Sequence, residues 1–327
     1  MDCTRLIHAA LRRMGLPAIA AVGASLTVVA PGGAAPHAYG VRPQQTDAAI
    51  QRYNQAHRIF LDDAVASRGQ LLVFLPGTGA TTGDQEEFGR TAAGLGYHVV
   101  YLMYPNDVAA AVCQDDEDES TFEKFRREII SGQDLDARVS VDRVNSIEHR
   151  LPRLIQWLAE NRAVEGWRQY LVDDRVDWSR VVLAGHSQGG GHAQLLAKDH
   201  SVARVVVLGS PKDYNQRYGR PGAWYGGGAT PAGRMFALVH EQDTQACSYE
   251  QQLENLRASG LTTVADIDRL EPPYGHAQVL TTNQPGTPVN SALAHLGLVF
   301  DFTLPRGPGG RPLYQAAWIY MLTETVE

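Results

Sequence analysis

Three kinds of feature are scarce in this sequence, and each absence narrows what the protein does. Only three cysteines are present, and none lies in a cluster with metal-ligand spacing, so a cysteine-ligated metal site is not expected. No long run of lysine or arginine occurs and the formal net charge is -7, so nucleic acid is not an expected partner. After the N-terminal region no apolar stretch approaches the length of a membrane span, so we expect no stable membrane insertion of the mature chain.

The N-terminal residues differ in character from the rest of the chain. A basic start rich in arginine precedes an apolar stretch over residues 14–30, and small residues fill positions 31–35. This order is typical of a secretory signal peptide. We therefore expect a signal peptide over residues 1–35, a single domain over residues 36–327 and a secreted or periplasmic location. The alternative is an uncleaved membrane anchor.

Two cysteines, Cys113 and Cys247, remain after the expected cleavage. An even pair in an oxidising compartment permits a disulfide bond between them. The alternative is two unrelated buried thiols, and the spacing favours neither.

Beyond residue 70, short apolar runs alternate with segments of helical periodicity. The runs predict strands buried on both faces of a parallel sheet, at residues 71–75, 98–103, 181–184, 205–208 and 235–239. Weaker strand signals follow at residues 262–267 and 277–281. Helices are predicted at residues 84–94, 122–130, 147–161, 190–200, 249–258 and 313–322. The alternation predicts an α/β protein with a doubly wound, mostly parallel sheet flanked by helices, and a site at the carboxyl ends of its strands.

Two segments interrupt this alternation. An insertion at about residues 104–146 contains an acidic run at residues 115–119. We expect the acidic run to be a solvated loop; the less favoured alternative is calcium binding, for which the EF-hand spacing is absent. Residues 209–233 are rich in glycine and proline and predict a long loop. Both segments are expected to roof the site, with Trp224 and Tyr225 as candidates to line it.

The pentapeptide GHSQG at residues 185–189 is the strongest local signal. It matches G-x-S-x-G, follows a predicted strand and precedes a predicted helix, which is the context of a nucleophile elbow. So tight a reversal forces Ser187 into a strained backbone conformation, and side chains in place of Gly185 and Gly189 would collide with the turn. Ser187 is therefore the predicted nucleophile, at a helix N-terminus that favours a developing oxyanion.

A serine nucleophile needs a base, and in this kind of site an acid and then a histidine follow the serine along the chain. Asp243 lies just beyond a predicted strand and is the preferred acid; Asp213, after the preceding strand, is the alternative. His295 is the preferred base, and His276 is the alternative.

Backbone donors for a tetrahedral intermediate are expected at two places. One is the N–H of Gln188, the residue after the nucleophile. The other lies in the glycine-containing loop after an early strand, where Thr78 is preferred over Gly77. A phosphate-binding loop is not expected there, because no Gly-Lys-Ser/Thr sequence follows. His186 and His192, close to the serine in sequence, are expected to be structural.

From about residue 71 to residue 322 the chain resembles the α/β-hydrolase superfamily. Three segments are similar to a poorly characterised group of secreted bacterial and fungal hydrolase-like proteins: FLPGTG at residues 74–79, YPND at 104–107 and RREIISG at 126–132. In that group the residues that match Asp243 and His295 look like the other members of a catalytic triad, so the resemblance implies the same roles here. The insertion departs from the minimal superfamily pattern.

These expectations describe a serine hydrolase that cleaves a small-molecule ester through an acyl-enzyme, with no metal or organic cofactor. Ester substrates are preferred because esterases and lipases commonly use this arrangement. Two alternatives stay open: a non-catalytic binding protein that kept the fold, and a peptidase or acyltransferase with the same triad.

Overall fold

A nine-stranded sheet forms the centre of the protein. The computed structural model describes residues 36–285 and 290–325. The strands, numbered along the chain, are β1 (His37–Val41), β2 (His57–Leu61), β3 (Leu71–Leu75), β4 (His98–Tyr101), β5 (Leu171–Val172), β6 (Arg175–Val176), β7 (Val181–His186), β8 (Arg204–Leu208), β9 (Tyr214–Asn215), β10 (Arg220–Pro221), β11 (Met235–His240), β12 (Val264–Asp266) and β13 (Val279–Thr282). The sheet runs in the order β1-β2-β4-β3-β7-β8-β11-β13-β12, and β5–β6 and β9–β10 form two small hairpins.

The pairing confirms the predicted mostly parallel sheet. β1 pairs antiparallel with β2, and β2 pairs antiparallel with β4. All other neighbours in the nine-stranded sheet are parallel. β7 is the middle strand, and its carboxyl end therefore lies among the ends of several parallel strands, where ligands bind in α/β proteins.

The helices fall between the strands largely as predicted. They are α1 (Pro43–Thr46), α2 (Glu86–Gly94), α3 (Thr121–Ser131), α4 (Ile147–Asn161), α5 (Gln188–Asp199), α6 (Tyr249–Ala258), α7 (Ser291–Leu296) and α8 (Gln315–Thr323). Two have the predicted bounds because their caps are local: the side chain of Ser146 accepts from the N–H of His149, and that of Ser248 from the N–H of Gln251.

Alternate side chains of the strands enter two separate cores. In β3, Leu71 and Val73 face one core, and Leu72 and Phe74 face the other. The first core packs against α3, α4, α5 and α6, and the second against α2 and α8. Helices therefore cover both faces of the sheet, as the continuous apolar runs of its strands predict.

The acidic run of the insertion is largely exposed, in agreement with the expected solvated loop, and two of its side chains form ion pairs with arginines of a later segment. Glu117 lies 2.7 Å from the guanidinium of Arg217, and Glu119 pairs with Arg220. Both arginines belong to the glycine-rich loop at residues 209–233. These exposed ion pairs join the two segments that were expected to roof the site.

Three expectations concern export and the cysteines. The predicted signal peptide at residues 1–35 lies outside the described residues. Among those that are described, no helix has the length and apolar character needed to cross a membrane. Cys113 and Cys247 are both buried and free, so of the two alternatives left by the sequence the structure has separate thiols, not a disulfide bond.

The tight turn after β7 makes Gly189 sensitive to any side chain. A Cβ atom there would lie 2.0 Å from the carbonyl oxygen of Leu75, which is backbone and cannot move aside. We expect Gly189→Ala to lower the free energy of unfolding by about 3 kcal/mol, measured by chemical denaturation. Gly94→Ala is the control, because a Cβ at Gly94 meets nothing within 4 Å, and it should be neutral or slightly stabilising. Equal stability of the two variants would contradict this account of the turn.

Candidate active site

Ser187 occupies the turn between β7 and α5, and its backbone is strained as predicted. Its φ is 53° and its ψ is -123°, a combination that non-glycine residues rarely adopt. A Cβ at Gly185 would lie 2.5 Å from the backbone of Gly189. The glycines of the pentapeptide thus allow the reversal that places Ser187 at the N-terminus of a twelve-residue helix.

Ser187 opens into a cavity of about 180 Å³ at the carboxyl ends of the strands. His295 and Thr78 line the same cavity, so the structure brings together three of the predicted site residues. A larger open cleft of about 580 Å³ lies beside α4 and is lined largely by charged side chains. That cleft contains none of the predicted site residues.

His295 and Asp243 form a buried pair beside this cavity. The Nδ1 atom of His295 lies 2.7 Å from Oδ2 of Asp243. His295 is carried by α7, whose N-terminus is capped by the side chain of Asn290, and Asp243 follows β11. The other carboxylate oxygen of Asp243 accepts from the N–H of Gln245 at 3.0 Å. The carboxylate therefore fixes the imidazole with a proton on Nδ1 and leaves Nε2 as a proton acceptor.

The two rival residues lie elsewhere. Both carboxylate oxygens of Asp213 bind the guanidinium of Arg126, at 2.6 Å each. His276 is exposed, and its Nδ1 lies 3.0 Å from a carboxylate oxygen of Glu324. Neither rival lines the cavity of Ser187.

The histidines next to the serine are buried in the protein, as expected for structural residues. The His186 ring packs against the His295 ring with centroids 4.4 Å apart, and its Nε2 lies 3.1 Å from the carbonyl oxygen of His295. Burial lowers the pKa of His186 well below its ordinary value, and the proximity of His295 lowers it further. A neutral His186 thus donates to the backbone of His295 and supports its ring. His192 packs edge-on against Tyr104.

Gln188 ties the roof of the cavity to the turn. Its side-chain oxygen accepts from the hydroxyl of Thr78 and from the N–H of Ala110, both at 2.8 Å. In the part of the chain that the structure describes, the backbone N–H groups of Thr78 and Gln188 have no hydrogen-bond acceptor. Both predicted donors therefore remain available to a ligand in the cavity.

A buried ion pair that the sequence did not reveal supports the turn from behind. Arg126, on α3, donates to the carbonyl oxygen of Gln188 at 2.9 Å while it binds Asp213. The indole N–H of Trp224 donates to the same carboxylate at 2.8 Å, and the Tyr225 hydroxyl accepts from the N–H of Asp213. This corrects the expectation for the two aromatic residues, because neither lines the cavity of Ser187.

Lys212 is a second residue that the sequence analysis missed. Its Nζ atom lies 2.8 Å from Oδ2 of Asp243 and 3.2 Å from the side-chain oxygen of Gln252. Only 8% of Lys212 is exposed. Burial raises the pKa of Asp243, but the charges and hydrogen bonds of His295 and Lys212 outweigh this effect and hold that pKa well below its usual range. The carboxylate therefore stays ionised between two donors.

No cluster of three or more histidine, cysteine or acidic side chains is placed to hold a metal ion in residues 36–285 and 290–325. No protein-family model matches the chain, and no curated protein matches it in sequence.

We expect Lys212→Met to lower the free energy of unfolding by about 3 to 5 kcal/mol at pH 7, because the buried carboxylate loses its ammonium partner. The depressed pKa of Asp243 stabilises the fold above the unfolded-state value of about 3.9, and this contribution is lost as the pH falls below it. The difference in the free energy of unfolding between Lys212→Met and the unsubstituted protein should therefore become smaller from pH 5 to pH 3. Denaturant titration at each pH measures it.

Lys124→Met is the matched control, because Lys124 pairs with Asp118 on the surface. Exposed pairs of this kind contribute about 0 to 1 kcal/mol. A difference between Lys212→Met and the unsubstituted protein that stays constant across this pH range would contradict the electrostatic role.

Proposed function

We propose that the protein is a serine hydrolase of the α/β-hydrolase fold that cleaves ester bonds through an acyl-enzyme on Ser187. The observation that carries the proposal is the buried His295–Asp243 pair, whose imidazole lines the same cavity as a serine at a strained strand-to-helix turn. A serine hydroxyl beside a histidine that is itself oriented by a carboxylate is the arrangement that activates a serine nucleophile.

The α/β-hydrolase assignment rests on three features of the sheet and the chain. G-x-S-x-G lies at the end of the central strand β7, where the nucleophile of this fold is found. The acid follows β11, and the histidine follows β13, so the order along the chain is serine, acid and histidine. The proposal also includes membership of the secreted hydrolase-like group that the sequence resembles.

The proposed reaction uses the groups of this cavity in sequence. Nε2 of His295 accepts the proton of Ser187 as the hydroxyl oxygen attacks the ester carbonyl carbon, and the N–H groups of Gln188 and Thr78 bind the resulting oxyanion. The imidazolium then protonates the leaving alcohol as its bond to the acyl carbon breaks. Water, deprotonated by the same imidazole, attacks the acyl carbon. The bond from that carbon to Oγ of Ser187 then breaks, the imidazolium returns the proton to Oγ, and the carboxylic acid is released.

Three further parts of the proposal concern the setting of the site. The chain is exported after loss of the signal peptide at residues 1–35, and the mature protein is secreted or periplasmic. The reaction as written needs neither a metal ion nor an organic cofactor, because the charge that develops on the ester oxygen is met by backbone donors. The partner of the protein is a small-molecule ester, with no nucleic acid involved.

We expect Ser187→Ala to abolish labelling by a fluorophosphonate probe and to lower the kcat of ester hydrolysis by about three orders of magnitude or more. His295→Ala should lower kcat to a similar extent, because the hydroxyl then has no base. The measurement is hydrolysis of p-nitrophenyl butyrate together with in-gel labelling of the purified protein.

Ser179→Ala and His276→Ala are the matched controls, since both residues lie away from the cavity, and both variants should retain labelling and activity. A folded protein that neither labels nor hydrolyses the ester would favour a non-catalytic binding protein. Labelling with turnover of amides, or with transfer to added alcohols, would favour a peptidase or an acyltransferase.

Gly209 provides a test of the position of His295. It has a φ of 56°, and a Cβ there would lie 3.0 Å from Nδ1 of His295. We expect Gly209→Ala to displace the imidazole and lower kcat about 10- to 100-fold. Gly219→Ala imposes the same left-handed strain at a φ of 59° but meets nothing within 4 Å, so it should leave kcat unchanged. Equal kcat values for the two variants would contradict the expected displacement of His295 by a Cβ at position 209.

A further inference from the structure

The cavity beside Ser187 is small. Its volume of about 180 Å³ lies below the range of about 300 to 1,000 Å³ that is usual for sites of drug-sized ligands. A cavity of this size suits a small ligand and leaves little room for a long acyl chain.

The lining of the cavity is mostly apolar, and most of its apolar side chains are short. Six such residues surround the reacting groups: Ala109, Ala111, Ala246, Ala292, Leu296 and Phe300. Four of the six contribute only a methyl group, so the space is bounded by the backbone behind them. Longer side chains at these positions would fill the cavity.

Among residues 36–285 and 290–325, the side chains that line the cavity include no carboxylate, ammonium or guanidinium group. Lys212 and Asp243 lie behind the imidazole and bind each other at 2.8 Å, so neither is free to pair with a substrate. A carboxylate or ammonium on the acyl chain would lose its hydration without gaining a partner, which is costly in an apolar site. The lining therefore selects a neutral acyl chain.

The walls of the cavity are fixed to the rest of the site. The segment that carries Ala109 and Ala111 is held by the hydrogen bond from the N–H of Ala110 to Gln188. Asn106 holds the same segment from the other side, since its side-chain amide donates to the carbonyl oxygens of Gly77 and Ala80. On the side of Ala109 and Ala111 the cavity is thus bounded by anchored backbone and not by a side chain that can swing away.

We propose that the substrate is an ester of a short, uncharged aliphatic acid, and that the small residues of this lining set the limit. The proposal rests on the proposed serine hydrolase function and narrows it to one substrate class. Phe300 is the largest lining side chain, and its ring packs edge-on against His186 with centroids 5.4 Å apart. Removal of this ring is the change that lengthens the cavity most.

The first experiment measures kcat/KM of the full protein for p-nitrophenyl esters of two, four, six, eight and ten carbons. We expect the highest value at two or four carbons and a fall of about tenfold or more by eight carbons. The p-nitrophenyl monoester of succinic acid should be hydrolysed at least about tenfold more slowly than the butyrate, because of its carboxylate. A maximum at eight carbons or more, or equal rates for the succinate and the butyrate, would overturn the proposal.

The second experiment alters the lining. Ala111→Leu should shift the chain-length profile to the acetate and lower kcat/KM for the butyrate about tenfold or more. Val112→Leu is the matched control, because Val112 is half exposed and does not line the cavity. Phe300→Ala should shift the maximum to longer chains, and Leu296→Ala serves the same purpose if Phe300→Ala does not fold. A profile that stays unchanged in Ala111→Leu and in the enlarged variants would overturn the assignment of this lining.

Failure of this proposal is distinguishable from failure of the proposed function. If no ester of any length is hydrolysed and no fluorophosphonate label reaches Ser187, the serine hydrolase proposal itself is wrong. If Ser187 labels and long-chain esters are the preferred substrates, the function stands and only the size limit is wrong.

Discussion

The close approach of α5 to the strand β3 is the constraint on which the site depends. The chain passes from β7 into α5 within a few residues, and the backbone of Gly189 comes so near Leu75 that no side chain fits between them. This contact holds Ser187 in its strained conformation. It also brings the first N–H of the helix beside the loop that carries Thr78. One backbone contact therefore sets both the position of the hydroxyl and the position of two donors.

Two buried charged pairs complete this arrangement from opposite sides. Arg126 and Asp213 lie behind the first turn of α5, where the guanidinium also binds the carbonyl oxygen of Gln188. Lys212 and Asp243 lie behind the imidazole of His295. In each pair the charges satisfy one another, so the cost of burying them is offset only while both partners are present. Lys212 and Asp213 are adjacent in sequence, and each belongs to one of the two pairs. A single loop therefore supports both the imidazole and the first turn of α5.

The sequence predicted the parts of this structure that are determined locally. Apolar runs located the central strands, and periodicity located α4 and α6 with their observed bounds, which the side chains of Ser146 and Ser248 cap. The elbow was predictable because its glycines are required by sterics within five residues. The antiparallel strand β1 gave no such pattern, since its side chains alternate little between buried and exposed. Likewise, α7 is too short for its periodicity to be seen, and His295 was therefore expected in a loop.

Apart from the predicted pairing of His295 with Asp243, contacts between distant segments were beyond the reach of the sequence. Arg126 and Asp213 are 87 positions apart, and only tertiary packing places α3 beside the loop after β8 that carries Asp213. Trp224 was assigned to the cavity because loop aromatics often line sites, but its indole N–H is used by Asp213. Lys212 lies in the segment at residues 209–233, whose glycine and proline content predicted only a long loop. In each case tertiary packing determines the contact partner, and the spacing of residues along the chain does not predict it.

The contacts between the insertion and the glycine-rich loop differ in kind from the buried contacts beneath α5. The pairs from Glu117 to Arg217 and from Glu119 to Arg220 join the insertion to the glycine-rich loop in contact with the medium. Screening acts over about 8 Å at physiological ionic strength, and it weakens exposed pairs far more than the buried one beneath α5. Salinity is thus a variable that affects the junction of these two segments more than the buried support of the turn that holds Ser187.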